Sequence, residues 1–257
     1  MFDIKNKKRK TTGIISLLIM LNTVLLNFAV SARAKETTNQ NNNSDYGLPT
    51  HRRDGGSRGN NNSCISEPDA NHLVALIPEE TVGINASASP KLFFYVPQIK
   101  EQKTLEFVLR DEQDKLIYEA FFTTKGEGIM SVDIPEDINT HLLKKDANYH
   151  WYLSVICNAR QRSRDIVVEG WMRQSTVDLV TKQELDRADS VAQAELYHSL
   201  GYWFDALSVL ASDRASETEE TIVRAKWSEL LESVGLKELA TAPFIESELI
   251  DSSSVAR

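Results

Sequence analysis

Cys64 and Cys157 are the only cysteines in the 257-residue chain. In an oxidising compartment two thiols close into a disulfide, whereas a reducing one would leave Cys157 as a buried free thiol. A Cys64–Cys157 bridge would close a long loop, and the chain-entropy account gives it about 4–5 kcal/mol at most. The second group with chemistry is Arg160-Gln161-Arg162-Ser163-Arg164. Three guanidinium forks on alternate residues suit carboxylates, sulfates and phosphates. The bridge would bring Arg58, and with it Arg52 and Arg53, to that loop. One anion- or partner-binding patch of Arg58, Arg160, Arg162 and Arg164 would result. The plainer alternative is a solvated hairpin loop. No catalytic residue is assigned: there is no Gly-x-Ser-x-Gly elbow, phosphate-cradling glycine loop or His-Glu-x-x-His pair. Asp133, Glu136 and Asp137 lie beside a proline turn and suit a solvated strand end. His51, His72, His141, His150 and His198 lack ligand spacing, so neither a metal nor a cofactor is expected.

These residues need strands to hold them. Tyr149–Cys157 (YHWYLSVIC) alternates, with Tyr149, Trp151, Leu153, Val155 and Cys157 on one face. Further strands read at 104–110, 116–123, 130–134 and 166–173, with a short apolar run at 73–77 and an aromatic one at 92–96 closed by Pro97. Leu105, Phe107 and Leu109 form one apolar face, and Leu116, Tyr118, Ala120 and Phe122 another, with a polar turn between them: a hairpin. Seven or eight short strands without an intervening helix predict an antiparallel β-sandwich of the immunoglobulin or fibronectin III kind over 64–175. Its core would hold Trp151, Trp171, Phe93, Phe94 and Tyr95, with an aromatic sugar-stacking platform as the alternative for these rings.

The period then changes, and 176–257 reads as a small helical region with a flexible tail. Thr181–Glu184 fits a capping box, followed by a stripe of Leu185, Ala188, Ala192, Leu196 and Leu200 ending at Gly201. A second helix runs from Tyr202 to Ala211. A third follows a capping box at Ser216–Glu219, with Val223, Trp227, Leu230, Leu231 and Val234 on one face and Gly235 at its end. Tyr197, Gly201, Trp203 and Ala206 have the spacing of a tetratricopeptide turn, without a second copy. An ordinary helical hairpin and a degenerate repeat both fit.

The N-terminus predicts the compartment. Lys5, Lys7, Lys8, Arg9 and Lys10 precede an apolar run from Gly13 to Val30, and Ala32-Arg33-Ala34 offers small residues to a signal peptidase. Residues 1–34 therefore read as a secretory signal peptide; an uncleaved anchor is the alternative. The chain has 29 basic and 37 acidic side chains; removing the leader's six basic and one acidic leaves 23 and 36, a net charge of −13. Such a protein is repelled by nucleic acid and anionic membranes. No transmembrane span is expected after cleavage. Residues 35–63, rich in Asn and Gly, read as a disordered linker.

Several pieces then combine: Gly56-Ser57-Arg58-Gly59 ahead of Cys64, Leu76-Ile77-Pro78-Glu79, Phe93-Phe94-Tyr95-Val96-Pro97, Tyr149-His150-Trp151-Tyr152 and Glu169-Gly170-Trp171. Trp203, Asp205-Ala206-Leu207 and Trp227 with Leu230-Leu231 join them. Over about residues 55–245 the chain resembles the domain-of-unknown-function family number 928, found in cyanobacteria. The resemblance implies an exported protein and no particular activity. The basic run before the glycines is short here, only Arg52-Arg53 before Asp54, which weakens the anionic-docking idea.

The expectation is an exported α+β protein of the periplasm or cell surface. It would be a non-catalytic binding or adaptor module for an envelope protein or acidic polysaccharide. A hydrolase of envelope glycans or peptides, and a structural subunit assembling through sheet edges, are the alternatives.

Overall fold

Apolar alternation sets most of the strands where the sequence places them. The computed structural model describes residues 51–53, 64–65, 72–79, 81–213 and 220–251. The expected signal peptide, most of the linker, Arg58 and the Ser216–Glu219 capping box lie outside the described residues. The strands are β1 (Val74–Ala75), β2 (Gly83–Asn85), β3 (Lys91–Val96), β4 (Thr104–Asp111), β5 (Leu116–Thr124), β6 (Gly128–Asp133), β7 (Asn148–Val155), β8 (Ile166–Gln174) and β9 (Ser247–Ile250). The helices are α1 (Glu136–Leu142), α2 (Leu179–Leu185), α3 (Ser190–Ser199), α4 (Trp203–Asp213) and α5 (Glu220–Ser233). The architecture is α+β. One sheet has the order β2-β8-β7-β4-β5-β9 and the other β1-β3-β6. All neighbouring strands are antiparallel except β2 and β8.

Alternation decides which side chains meet between the sheets. Leu105, Phe107 and Leu109 of β4, and Trp151 and Leu153 of β7, are fully buried. Phe94 of the small sheet meets them, with its ring edge-on to Trp151 at 5.5 Å and to Phe107 at 6.4 Å. The next residue, Phe93, points the other way and meets Trp227 of α5 at 6.0 Å. Strand β3 is therefore buried on both faces, and the order of layers is large sheet, small sheet, helices. A strand covered on both faces reads as a continuous apolar run rather than an alternating one, which is the pattern of Leu92–Val96.

Helix α4 seats the helical layer. Trp203, Phe204, Ala206, Leu207 and Leu210 are buried, and so is Asp205. The Asp205 carboxylate accepts from the backbone N–H groups of Ala86 (2.7 Å) and Ser87 (2.9 Å). Trp203 donates its indole N–H to the Leu76 carbonyl at 2.7 Å. Polar groups this deep are tolerated because each has its partner.

Several elements differ from expectation. Three-residue β2 carries no alternation; it lies under Phe204, whose ring leaves no room for a Cβ on Gly83 (2.3 Å). The expected flexible tail instead adds β9 to the edge of β5. Its Leu249 is exposed, so the pairing is made by backbone and left no apolar signal. A register shift between Leu109 and Arg110 breaks the phase of β5 and exposes Leu116. The long helix expected from Thr181 is two helices, capped by Asp178 and Asp189 rather than by Thr181. The restart at Asp189 resets the phase, so Ala194 is the buried residue of α3 while Ala192 and Leu200 are exposed. Gly201 closes α3 at φ +84°, with nothing within 4 Å of an added Cβ. It serves the left-handed turn and not a close helix approach.

Gly170 sits opposite Trp151 in the β7–β8 register. A Cβ there would lie 2.4 Å from the Trp151 ring and 3.0 Å from Ile77 Cδ1. Gly170→Ala should therefore lower unfolding free energy by about 1–3 kcal/mol through overpacking, measured as a shifted denaturant midpoint with unchanged slope. An unchanged midpoint would show that Trp151 can move aside.

Candidate functional site

Strand β7 delivers Cys157 to one end of the large sheet. Its ladder closes where Ile156 donates to the Thr104 carbonyl at 2.9 Å, and Cys157 then leaves the sheet. Cys157 is bonded to Cys64 across 93 residues, with Cα atoms 5.5 Å apart. Cys64 in turn accepts from the Lys100 backbone N–H at 3.0 Å, and Ile65 bridges to Ile99. The disulfide thus ties three segments together: the N-terminal segment, the β3–β4 loop and the β7–β8 loop.

The β7–β8 loop is held from inside. Arg160 donates its backbone N–H to Asn158 Oδ1 at 2.9 Å, and a short 3₁₀ turn spans Arg162–Arg164. The Asp165 carboxylate accepts from the Cys157 backbone N–H at 3.2 Å and pairs with Arg162. Burial raises the pKa of Asp165 above the ordinary carboxylate value. Arg162 also pairs with Glu106 of β4. Hydrogen bonding to Glu106, then to Asp165, raises the Arg162 pKa further.

The four arginines expected to form one patch are therefore not equivalent. All three arginines of the loop are exposed, but only Arg162 is paired, with Glu106 and Asp165; neither Arg160 nor Arg164 forms an ion pair among the described residues. Arg52 and Arg53 do not reach the loop. Arg52 is buried, donating to the carbonyls of Ile77 (3.0 Å) and Val234 (2.7 Å) and pairing with Glu79. Desolvation lowers its pKa. Arg53 pairs with Glu238. Residues 51–53, expected within a linker, are thus fastened between the sheets and the end of α5, because a buried guanidinium needs several acceptors and finds two of them on loop carbonyls.

A second cluster lies on the other face of the large sheet. The β7–β8 register sets His150 opposite Trp171 and Tyr152 opposite Glu169. His150 stacks on Trp171 at 4.3 Å, so Trp171 belongs to this outer face and not to the core. Tyr152 lies 2.7 Å from His150 Nδ1, and His150 Nε2 is 3.0 Å from Glu169, out of line for a straight hydrogen bond. His51 pairs with the same carboxylate and makes two backbone hydrogen bonds to Glu169, each 3.1 Å. Alternation places His150 and Tyr152 on one face, but only the register brings Glu169 and Trp171 to them. Both ring nitrogens of His150 are turned towards partners. The cluster can hold a proton and clasp the N-terminal segment. Among the described residues no group of His, Cys, Asp and Glu has the geometry of a metal site. None of the described helices is long and apolar enough to cross a membrane.

The family described as Domain of Unknown Function (DUF928) matches residues 53–244 of the chain. A search of curated proteins finds no match.

Desolvation lowers the pKa of His150 below 6.5, outweighing the pull of Glu169. The unfolded chain then takes up this proton first, so the neutral imidazole supports the fold fully above pH 6.5 and loses that support as pH falls through the lowered value. Thermal melts at constant ionic strength should show stability falling on acidification from neutral pH, with a shallower fall in His150→Gln. Equal slopes in the two proteins would remove His150 from this role.

Proposed function

The chain belongs to the DUF928 family, and we propose that it is a non-catalytic binding or adaptor module, exported to the periplasm or surface of a cyanobacterial cell, that docks an anionic envelope partner. One observation carries this reading: Arg160 and Arg164 project from a loop fixed at Cys157 by a disulfide and at Asp165 by Arg162. A rigid mount spares the cost of ordering the loop on binding, so that only the two side chains remain to be fixed. On a chain of net charge −8 they favour a chosen anion over general adhesion. We read the two sheets as an immunoglobulin- or fibronectin III-like sandwich, supported by the facing of Phe94 against Trp151 and Phe107. The α3–α4 pair is read as an ordinary helical hairpin, supported by the open space beside Gly201 at its turn.

The alternatives draw on weaker observations. A hydrolase would use His51, His150 and Glu169, of which Glu169 is already engaged by both imidazoles. Assembly through sheet edges would need an open edge strand. The large sheet ends in β2 and β9, both short, and β9 places exposed Glu248 at its edge, a charge that opposes edge-to-edge pairing.

Binding of the mature protein to isolated envelope material, followed by co-sedimentation, tests the reading. Arg160→Ser with Arg164→Ser should weaken retention about tenfold, the scale of one or two charge-assisted hydrogen bonds. Raising salt towards about 0.3 M should weaken it too. Arg162→Ser should lower stability more than retention. Retention that ignores both salt and the double variant would sink the proposal.

A further inference from the structure

Residues 51–53 close a seam between the two sheets. His51 exchanges two backbone hydrogen bonds with Glu169, on a stretch of β8 that β2 leaves unpaired. The Arg52 carbonyl then accepts from the Ala75 N–H at 2.8 Å, and Arg53 bridges to Val74, on the side of β1 not taken by β3. Each residue also meets one carboxylate. His51 pairs with Glu169 of β8, Arg52 with Glu79 beyond β1, and Arg53 with Glu238 in the turn after α5. Three consecutive basic residues are thus matched, one to one, by acids from three separate parts of the fold. The central arginine goes deepest, to the carbonyls of Ile77 and Val234.

This is the chemistry of peptide capture by strand addition, in which main-chain pairing gives affinity and a side-chain pocket gives selectivity. The segment brings no apolar side chain to the core. It is held through hydrogen bonds and ion pairs, and Arg52 Nε finds no acceptor among the described residues. A seam that only had to be shut would be closed as well by apolar side chains, which often equal or better a buried ion pair in stability. Polar groups supply instead a selectivity for a segment of matching charge.

Ten residues, 54–63, lie between Arg53 and Cys64, a contour of about 35 Å. Cys64 itself is fastened to Cys157. Such a tether is long enough to carry the segment to the seam of a neighbouring copy, where it would meet identical groups. Exchange of an identical element costs little, because the contacts are the same within one chain and between two. We propose that the seam is a receptor for an extended basic segment with a central arginine, filled within one chain by residues 51–53 and, by exchange, by the same segment of a second copy. This goes beyond the docking reading above and uses none of the arginines at 160–164. The tether keeps the chain's own segment at a high effective concentration, so the closed form prevails until that segment is displaced or disabled.

Two complementary variants of the mature protein, followed by sedimentation velocity, test the exchange. One, Arg52→Gln with Arg53→Gln, keeps the receptor and loses the segment. The other, Glu79→Gln with Glu238→Gln, keeps the segment and loses the receptor. Each alone should stay monomeric. Mixed, they should form a one-to-one complex, and more of it than the wild-type protein forms dimer at equal concentration. A peptide of residues 50–54 should dissolve that complex. The same peptide with glutamine for its first arginine should need about tenfold more, the scale of a lost charge-assisted hydrogen bond. Arg160→Ser with Arg164→Ser in either partner should leave association unaltered, which separates failure of the seam from failure of the docking loop. If the segment-less variant melts early, the peptide should raise its melting temperature, since a ligand of the folded form alone stabilises it; no rise overturns the proposal. A mixture of folded variants that stays monomeric overturns it too, as does association that persists when both partners carry the arginine substitutions. If the segment-less variant takes the peptide but not the second copy, the exchange is overturned and the seam is a site for a peptide of another protein.

Discussion

Strand β3 has no polar face. Leu92, Phe93, Phe94, Tyr95 and Val96 are all buried, and successive side chains of a strand point to opposite sides. Both sides must therefore be covered, and no single sheet can do that. The large sheet covers Phe94 with Trp151 and Phe107, and α5 covers Phe93 with Trp227. At about 25 cal/mol per Å² of apolar surface, two buried phenylalanines contribute several kcal/mol. The helical layer exists on this chain because the second face of β3 requires it.

Apolar contact alone would let the helices slide, and polar anchors fix where they sit. Asp205 binds two amides before β3, Trp203 binds the Leu76 carbonyl, and Arg52 links the exit of β1 to the end of α5. Each is a buried polar group whose removal would strand its partners, so each is more directional than any methyl contact nearby. Burial raises the Asp205 pKa, and the two amides work against that shift by favouring the carboxylate.

The disulfide end of the large sheet uses the same logic at the surface. A disulfide, an aspartate and a backbone bridge immobilise loops that carry Arg160, Arg164, Lys100 and Lys103. Rigid loops on a sheet scaffold are where binding groups are ordinarily held. Arg162 shows the division of labour: one exposed guanidinium in three is held by Glu106 and Asp165, and its neighbours Arg160 and Arg164 make no ion pair among the described residues.

The sequence by itself determined the strand positions of β3 to β8, the burial of Trp151 and Trp227, the C-terminal turns at Gly201 and Gly235, and the two cysteines that pair. Those properties are local: a period of two or 3.6 residues, or a left-handed turn, is written in adjacent side chains. Tertiary structure alone decided the rest. Whether Arg52 is a linker residue or a buried anchor depends on two carbonyls 25 and 182 residues away. Trp171 was placed in the core by its type and on the outer face by its register with His150. The short strands β2 and β9 pair through backbone with little help from side-chain pattern, so nothing in their residue types announced them. Long-range pairing is a property of the folded surface, and the residue types that take part in it are the same ones that would face water elsewhere.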